Sequence, residues 1–183
     1  DRLRDALAAR RGRPQSLYLD LARLAQQWIE HDAAESPELP IPMLAAAHEA
    51  LRLVIDEGLE ARWERHRRAG RALRAGLEVM GLELFGNRAH AVPMITLVRV
   101  PDGIDEAGVR EQLLGEHGIE IMAAFGPLRG RVWRIGTMGT NACTASVLAV
   151  LAGLEAVLGA RGFRLPRGAG IDAALAACRA DAT

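Results

Sequence analysis

The chain has 183 residues, half of them apolar, and its 23 basic residues are balanced by 23 acidic ones. That length suits one domain able to bury about 70% of the surface its unfolded chain exposes, and the balanced charge leaves no net field to draw it to nucleic acid or an anionic membrane. All the basic residues are arginine, so the chain carries no primary side-chain amine of the kind that condenses with carbonyls; codon usage in a GC-rich genome accounts for that equally well.

No apolar run approaches the roughly 18 residues of a membrane span, and the first residues, Asp1 to Arg13, are charged throughout, with no visible signal peptide. Cys143 and Cys178 lie far apart and form no C-x-x-C pattern, so neither a zinc site nor a disulfide framework is suggested. A soluble, cytoplasmic protein is expected, with neither nucleic acid nor membrane as a partner.

Residues 1–13 read as a short helix stopped by Gly12 and Pro14. Leu17, Leu21, Leu24, Ala25 and Trp28 then form one apolar stripe, which predicts a helix over Ser16 to Ile29. From His31 to Met43 the pattern dissolves, and Pro37, Pro40 and Pro42 favour an extended linker. A long helix follows, with Leu44, Ala47, Leu51, Val54, Ile55 and Leu59 on one face, continuing through a bend at Gly58 toward Met80.

After Gly81 the period changes. Residues 82–85, 92–100, 119–125 and 131–138 read as strands, with a helix from about Asp105 to His117 carrying Val109, Leu113 and Leu114 inward. Thr144 is placed as the N-cap of a helix with Val147, Leu148, Leu151, Leu154 and Leu158 on its apolar face, and a last helix covers Ile171 to Arg179. The order of strand, strand, helix, strand, strand, helix predicts an α+β fold: a small antiparallel sheet with helices on one face, preceded by a long helix.

The candidate sites are few. Arg62, Arg65, Arg67, Arg68, Arg71 and Arg74 share a helix with Glu57, Glu60 and Glu64, and read as a solvated face with Glu64 to Arg68 as an i,i+4 pair. The five histidines never fall at i,i+4, so they give no helical metal pair, and no serine sits in a G-x-S-x-G turn. Gly126, Gly130, Gly136 and Gly139 read as turn residues rather than a phosphate loop.

Arg134 stands apart. Alternation along Arg131 to Met138 puts Val132, Arg134 and Gly136 on one face and Trp133, Ile135 and Thr137 on the other. A guanidinium held mid-strand, with a glycine beside it, is suited to grip a carboxylate through two parallel hydrogen bonds. A solvent-facing or salt-bridged arginine satisfies the same spacing.

The strings LRLVIDEGLEARWERHRRAGRALRAGLEVMGLELF (51–85), VPDGIDEAGVREQLLGEHGIEI (100–121) and FGPLRGRVWRIGTMG (125–139) resemble the C-terminal part of class V, fold-type I aminotransferases. The likeness is to the alanine–glyoxylate, serine–pyruvate and ureidoglycine–glyoxylate branch; FGPLRGRVWRIGTMG and the tail AGIDAALAA (169–177) look most like the ureidoglycine–glyoxylate enzymes of purine breakdown. The resemblance implies that residues 1–43 are a remnant of the large domain with its linker, and that 44–183 are the small C-terminal domain. It implies pyridoxal 5′-phosphate as cofactor, small amino-acid and 2-oxo-acid substrates, a homodimer, and a Schiff-base lysine on a large domain that precedes Asp1 or comes from a partner chain.

By the same resemblance, Arg134 is the arginine that binds the substrate α-carboxylate. The family positions that help hold the cofactor phosphate or substrate, counted back from Leu44 and Glu49, fall near Glu35 and Glu38. A carboxylate there repels a phosphate dianion by on the order of a kcal/mol or more in a partly desolvated site, so either the alignment slips in this proline-rich stretch or the cofactor site has decayed.

Three readings follow. In the first, the chain is part of a transaminase that passes an amino group from a small donor such as ureidoglycine, alanine or serine to glyoxylate or another 2-oxo acid. In the second it is a lysine-free, non-catalytic descendant serving as an interaction or regulatory module. The third, a ferredoxin-like nucleic-acid binder, lacks aromatics for base stacking, with three Phe and one Tyr in the chain.

Overall fold

The computed structural model describes residues 2–12, 14, 16, 19–30 and 40–180. They belong to two units, Asp1–Arg52 and Leu53–Thr183. No helix among the described residues is long and apolar enough to cross a membrane.

In the first unit, α1 (Arg2–Ala8) ends earlier than the helix expected over residues 1–13, and α2 (Leu21–Glu30) starts five residues after the predicted Ser16. Asp20 sets that start: its side chain accepts the Arg23 N–H at 3.1 Å and so caps the first turn. The expected linker also ends sooner, because α3 (Ile41–Glu57) begins directly after Pro40 and carries Pro42 in its first turn, where the missing N–H leaves no intrahelical bond unmade.

The predicted bend at Gly58 is a full break. Gly58 adopts φ 81°, ψ 141°, which separates α3 from α4 (Leu59–Val79). In the second unit α4 supplies the central face of the core through Ala69, Ala72, Leu73 and Leu77, followed by Met80. After it come β1 (Ile95–Arg99), α5 (Glu106–His117), β2 (Met122–Ala123), β3 (Val132–Gly136), α6 (Thr144–Ala160) and α7 (Ala169–Arg179).

The strands form an antiparallel sheet of order β1-β3-β2, with Leu97 and Met122 both opposite Arg134, and Val98 and Ala123 both opposite Trp133. The inner face buries Val98, Trp133 and Ile135 in one cluster with Val109 and Leu113 of α5 and Val147, Leu151, Leu154 and Leu158 of α6. This is the α+β arrangement expected from the sequence, and the core positions of α5 and α6 follow their helical spacing.

Four details differ. Residues 82–85 form only a bridge, Leu84 to Val98, with backbone bonds from Phe85 N–H to Leu97 O and from Arg99 N–H to Glu83 O; the chain then turns into a short 3-10 segment, Arg88–His90, capped by Asn87. The strand expected over 119–125 is confined to Met122–Ala123, because Gly126 to Leu128 form a 3-10 turn directly after Phe125. Leu114 is 53% exposed, since it lies one residue, about 100° of helix, away from Leu113. Cys143, not Thr144, occupies the N-cap of α6.

Helices α4 and α7 approach through glycine. A Cβ on Gly76 would lie 2.5 Å from Leu151 Cδ1 and 2.8 Å from the Gly170 carbonyl oxygen; one on Gly170 would meet Met80 Cγ at 2.7 Å. Gly76→Ala is therefore expected to lower stability by about 1–3 kcal/mol in denaturant unfolding, despite a helix-propensity gain of about 1 kcal/mol. Gly170→Ala is expected to lower it less, because Met80 is flexible. A stabilised Gly76→Ala would contradict this packing.

Candidate functional site

Arg134 owes its direction to its neighbours. Trp133 is fully buried and donates its indole N–H to the Glu106 carbonyl at 3.3 Å, while Ile135 is 2% exposed. Alternation then turns Arg134 to the outer face of the sheet, between Leu97 and Met122 on the flanking strands.

There the Arg134 guanidinium lies 4.4 Å from the centroid of the Phe125 ring. The turn after Phe125 is fixed by bonds from Leu128 N–H to Phe125 O and from Arg131 N–H to Leu128 O, which set where the backbone of Phe125 leaves the sheet. Arg134 Nη1 is buried yet has no hydrogen-bond partner. It lines a cleft of 570 Å³ whose walls include Phe85, His90, Ile95, Leu97 and Phe125. Leaving a buried donor unmet costs about 1–3 kcal/mol, and a ring on one face of a guanidinium leaves its in-plane donors open. The arrangement suits a carboxylate, which accepts two parallel bonds in that plane.

Sequence spacing located Arg134 but missed Phe125. Counted from Met122, alternation puts position 125 on the opposite face, and the departure of the chain into the 3-10 turn brings the ring over Arg134 instead. Gly136, expected to leave room beside Arg134, lies opposite Ile95, and a Cβ there would meet Met138 Cε at 3.2 Å. Glu35 and Glu38 lie outside the described residues.

The loop following β3 is latched to α4. Gly139 donates its N–H to His66 Nε2 at 3.1 Å, so the His66 proton sits on Nδ1, which donates to Arg62 O at 2.7 Å. Arg65 Nη1 donates to Gly139 O at 2.7 Å and Ala142 O at 3.1 Å, and Glu57 takes its Nε and Nη2 at 2.6 and 3.0 Å. Arg62 adds a bond to Glu57 at 2.8 Å. The expected solvated arginine face is thus divided by depth: Arg67 and Arg71 pair with Glu64 at 2.9 and 3.1 Å, in place of the anticipated Glu64–Arg68 pair, whereas Arg65 works as a structural tie. The helix geometry favours this choice, since three- and seven-residue spacings also return to one face.

No protein-family model matches the chain. Among curated proteins it is 48% identical over 160 residues to the (S)-ureidoglycine–glyoxylate transaminase of Bacillus subtilis, covering 87% of this chain and 38% of that protein. It is 36% identical over 161 residues to the pyridoxamine–pyruvate transaminase of Mesorhizobium japonicum, covering 84% of this chain and 41% of that protein. The Callithrix jacchus alanine–glyoxylate aminotransferase shares 35% over 164 residues, covering 86% and 39%. The crystal structure of the B. subtilis ureidoglycine–glyoxylate aminotransferase superposes with a TM-score of 0.90 at 46% identity, over 97% of this chain and 46% of that one. The chain belongs to the class V aminotransferases.

Its sheet and helices match the C-terminal domain of the aminotransferase structures, and it spans 38–41% of the length of these curated relatives. Aminotransferases of this class depend on pyridoxal 5′-phosphate, held through a lysine. With no lysine in the sequence, the described residues do not make a complete site for that cofactor; what they present is the Arg134 guanidinium, whose open donors suit a carboxylate.

The latch on α4 makes stability depend on acid. The Arg65 hydrogen bond is the leading cause that lowers the Glu57 carboxyl from 4.5 to about 2; partial burial pushes it up, and Arg62 lowers it further. A carboxyl depressed in the folded state binds protons more readily when unfolded, so its stabilisation is present above about pH 4.5 and is lost as pH falls toward 2. Melting temperatures across that window are expected to fall less steeply in Glu57→Gln than in the parent; parallel profiles would contradict the assignment.

Proposed function

We propose that this chain is the carboxylate-reading part of a pyridoxal 5′-phosphate-dependent transaminase, which moves an amino group from a small donor (ureidoglycine, alanine or serine) to glyoxylate or another 2-oxo acid. The observation that carries this reading is the buried, unpartnered Arg134 Nη1 beneath Phe125 in an open cleft. Amino donor and 2-oxo acceptor of a transaminase each carry a carboxylate next to the reacting carbon. One immobile guanidinium therefore positions both in turn, and positioning of this kind is a large share of catalysis.

The lysine that holds the cofactor lies, on this reading, in sequence outside these 183 residues or in a partner chain, with residues 44–183 acting as the small domain of a homodimeric enzyme. The non-catalytic reading rests on the missing lysine together with Glu35 and Glu38, the two glutamates lying outside the described residues, and nothing in the described cleft favours it. A buried guanidinium nitrogen without a partner argues for a ligand.

The test uses the full-length enzyme. Arg134→Ala is expected to raise the amino-donor KM and lower kcat/KM by roughly one to three orders of magnitude, since a bidentate charged contact is lost. Arg134→Lys is expected to recover only part of the loss, because a single ammonium cannot reproduce the fork. Unchanged kinetics in Arg134→Ala, with the fold intact by circular dichroism, would remove Arg134 from the site.

A further inference from the structure

Three buried side-chain atoms among the described residues have no hydrogen-bond partner: Arg74 Nη1, Thr96 Oγ1 and Arg134 Nη1. All three residues line the same 570 Å³ cleft. Buried polar groups are nearly always satisfied, so three exceptions at one place point to a missing ligand with more than one acceptor.

Arg74 and Arg134 occupy different ends of this cleft. Thr96 pairs with Ile135 on the inner face of the sheet, the side covered by α4 and hence by Arg74; Leu97 and Arg134 share the outer face. The cleft passes from one side to the other at the start of β1. There the edge is open, because the Leu84–Val98 bridge and the Phe85–Leu97 bond stop short of Ile95 and Thr96.

The surroundings of Arg74 are unusually cationic. Burial lowers the Arg74 pKa most, and Arg71 and Arg88 stand near enough to lower it further. Arg71 is bound to Glu64 and Arg88 to Glu78, whereas Arg74 Nη1 meets no carboxylate. The segment from Ala91 to Met94 presses on α4 beside it, and this approach needs Gly70: a Cβ there would collide with the Pro93 carbonyl oxygen and come within 3.3 Å of Arg74 Nη1. A guanidinium fixed under a loop, crowded by two like charges and short of an acceptor, is the arrangement of an anion site.

We propose that Arg74 is a second anion-binding group of the Arg134 cleft, so that the ligand carries two carboxylates, one at Arg134 and the other at Arg74 beside the Thr96 hydroxyl. The proposal rests on Arg134 taking a carboxylate, and it narrows the 2-oxo acid to a dicarboxylate.

Calorimetric titration of the full-length protein tests both levels. The probes are malonate, succinate and glutarate, with butyrate as monocarboxylate and inorganic phosphate as competitor. At least one dicarboxylate is expected to bind tenfold or more tightly than butyrate, with Arg74→Gln abolishing that preference while leaving butyrate affinity unchanged. Arg134→Gln is expected to weaken all four carboxylates; butyrate binding that ignores Arg134→Gln defeats the Arg134 reading itself. With butyrate binding intact, a dicarboxylate preference that is absent, or that survives Arg74→Gln, overturns the Arg74 assignment alone. Phosphate that binds through Arg74 more tightly than any dicarboxylate also overturns it, by giving the site to a phosphate. A further readout separates function from structure. Without ligand, Arg74→Gln is expected to melt at the same or a higher temperature, because repulsion from Arg71 and Arg88 is relieved; a clear drop would make Arg74 structural and sink the proposal.

Discussion

The burial of Trp133 governs the rest. Its ring is enclosed in the core and its indole N–H is met by the Glu106 carbonyl, so β3 is locked in register between β1 and β2 and tied to α5. Side chains alternate along a strand, so a slip of one residue would carry Arg134 into the apolar core and Trp133 into solvent. Placing a charge there unpaired is far more unfavourable than any local adjustment. The position of the one mid-sheet guanidinium is thus decided by a core residue that never touches ligand.

The second determinant is the depth at which α4 places its arginines, and it explains a use for arginine that lysine could not fill. Arg65 makes four hydrogen bonds at once, two to Glu57 and two to the carbonyls of Gly139 and Ala142. Five N–H donors spread over a planar fork reach acceptors on both sides; an ammonium offers three from a single point. With His66 this holds the connection between β3 and α6 against α4. The strand carrying Arg134 is therefore fixed at its far end as well as in its middle.

Much of this was legible in the sequence because it depends on local period. Val109 and Leu113 of α5, the core residues of α6, the strand Val132–Gly136 and the face taken by Arg134 follow from spacing, with Leu114 the one position on α5 that it misassigned. What spacing could not supply were outcomes of competition between neighbours. Asp20 caps α2 at a point the apolar stripe of Leu17 and Leu21 does not mark. Glu64 reaches Arg67 and Arg71 rather than Arg68. Phe125 stacks on Arg134 because a 3-10 turn ends the strand pairing early. Each depends on side chains brought together by tertiary packing, which a one-dimensional pattern does not contain.

The overall neutrality of the chain hides an uneven pairing. Glu57, Glu64, Glu78, Glu83 and Glu106 each hold at least one arginine in an ion pair. Such pairs on an exposed face stabilise little, and they offset the charge of those arginines without cancelling it, since Arg71 and Arg88 still add to burial in lowering the Arg74 pKa. What remains uncompensated there is Nη1 of Arg74 and Nη1 of Arg134, both shielded from water. Charges in a cleft with low-dielectric walls act more strongly on a ligand than the same charges on an open surface. A composition with no net charge therefore produces a focused positive field at one place, and does so by satisfying nearby surface arginines with carboxylates while leaving these two nitrogens for something the protein does not itself provide.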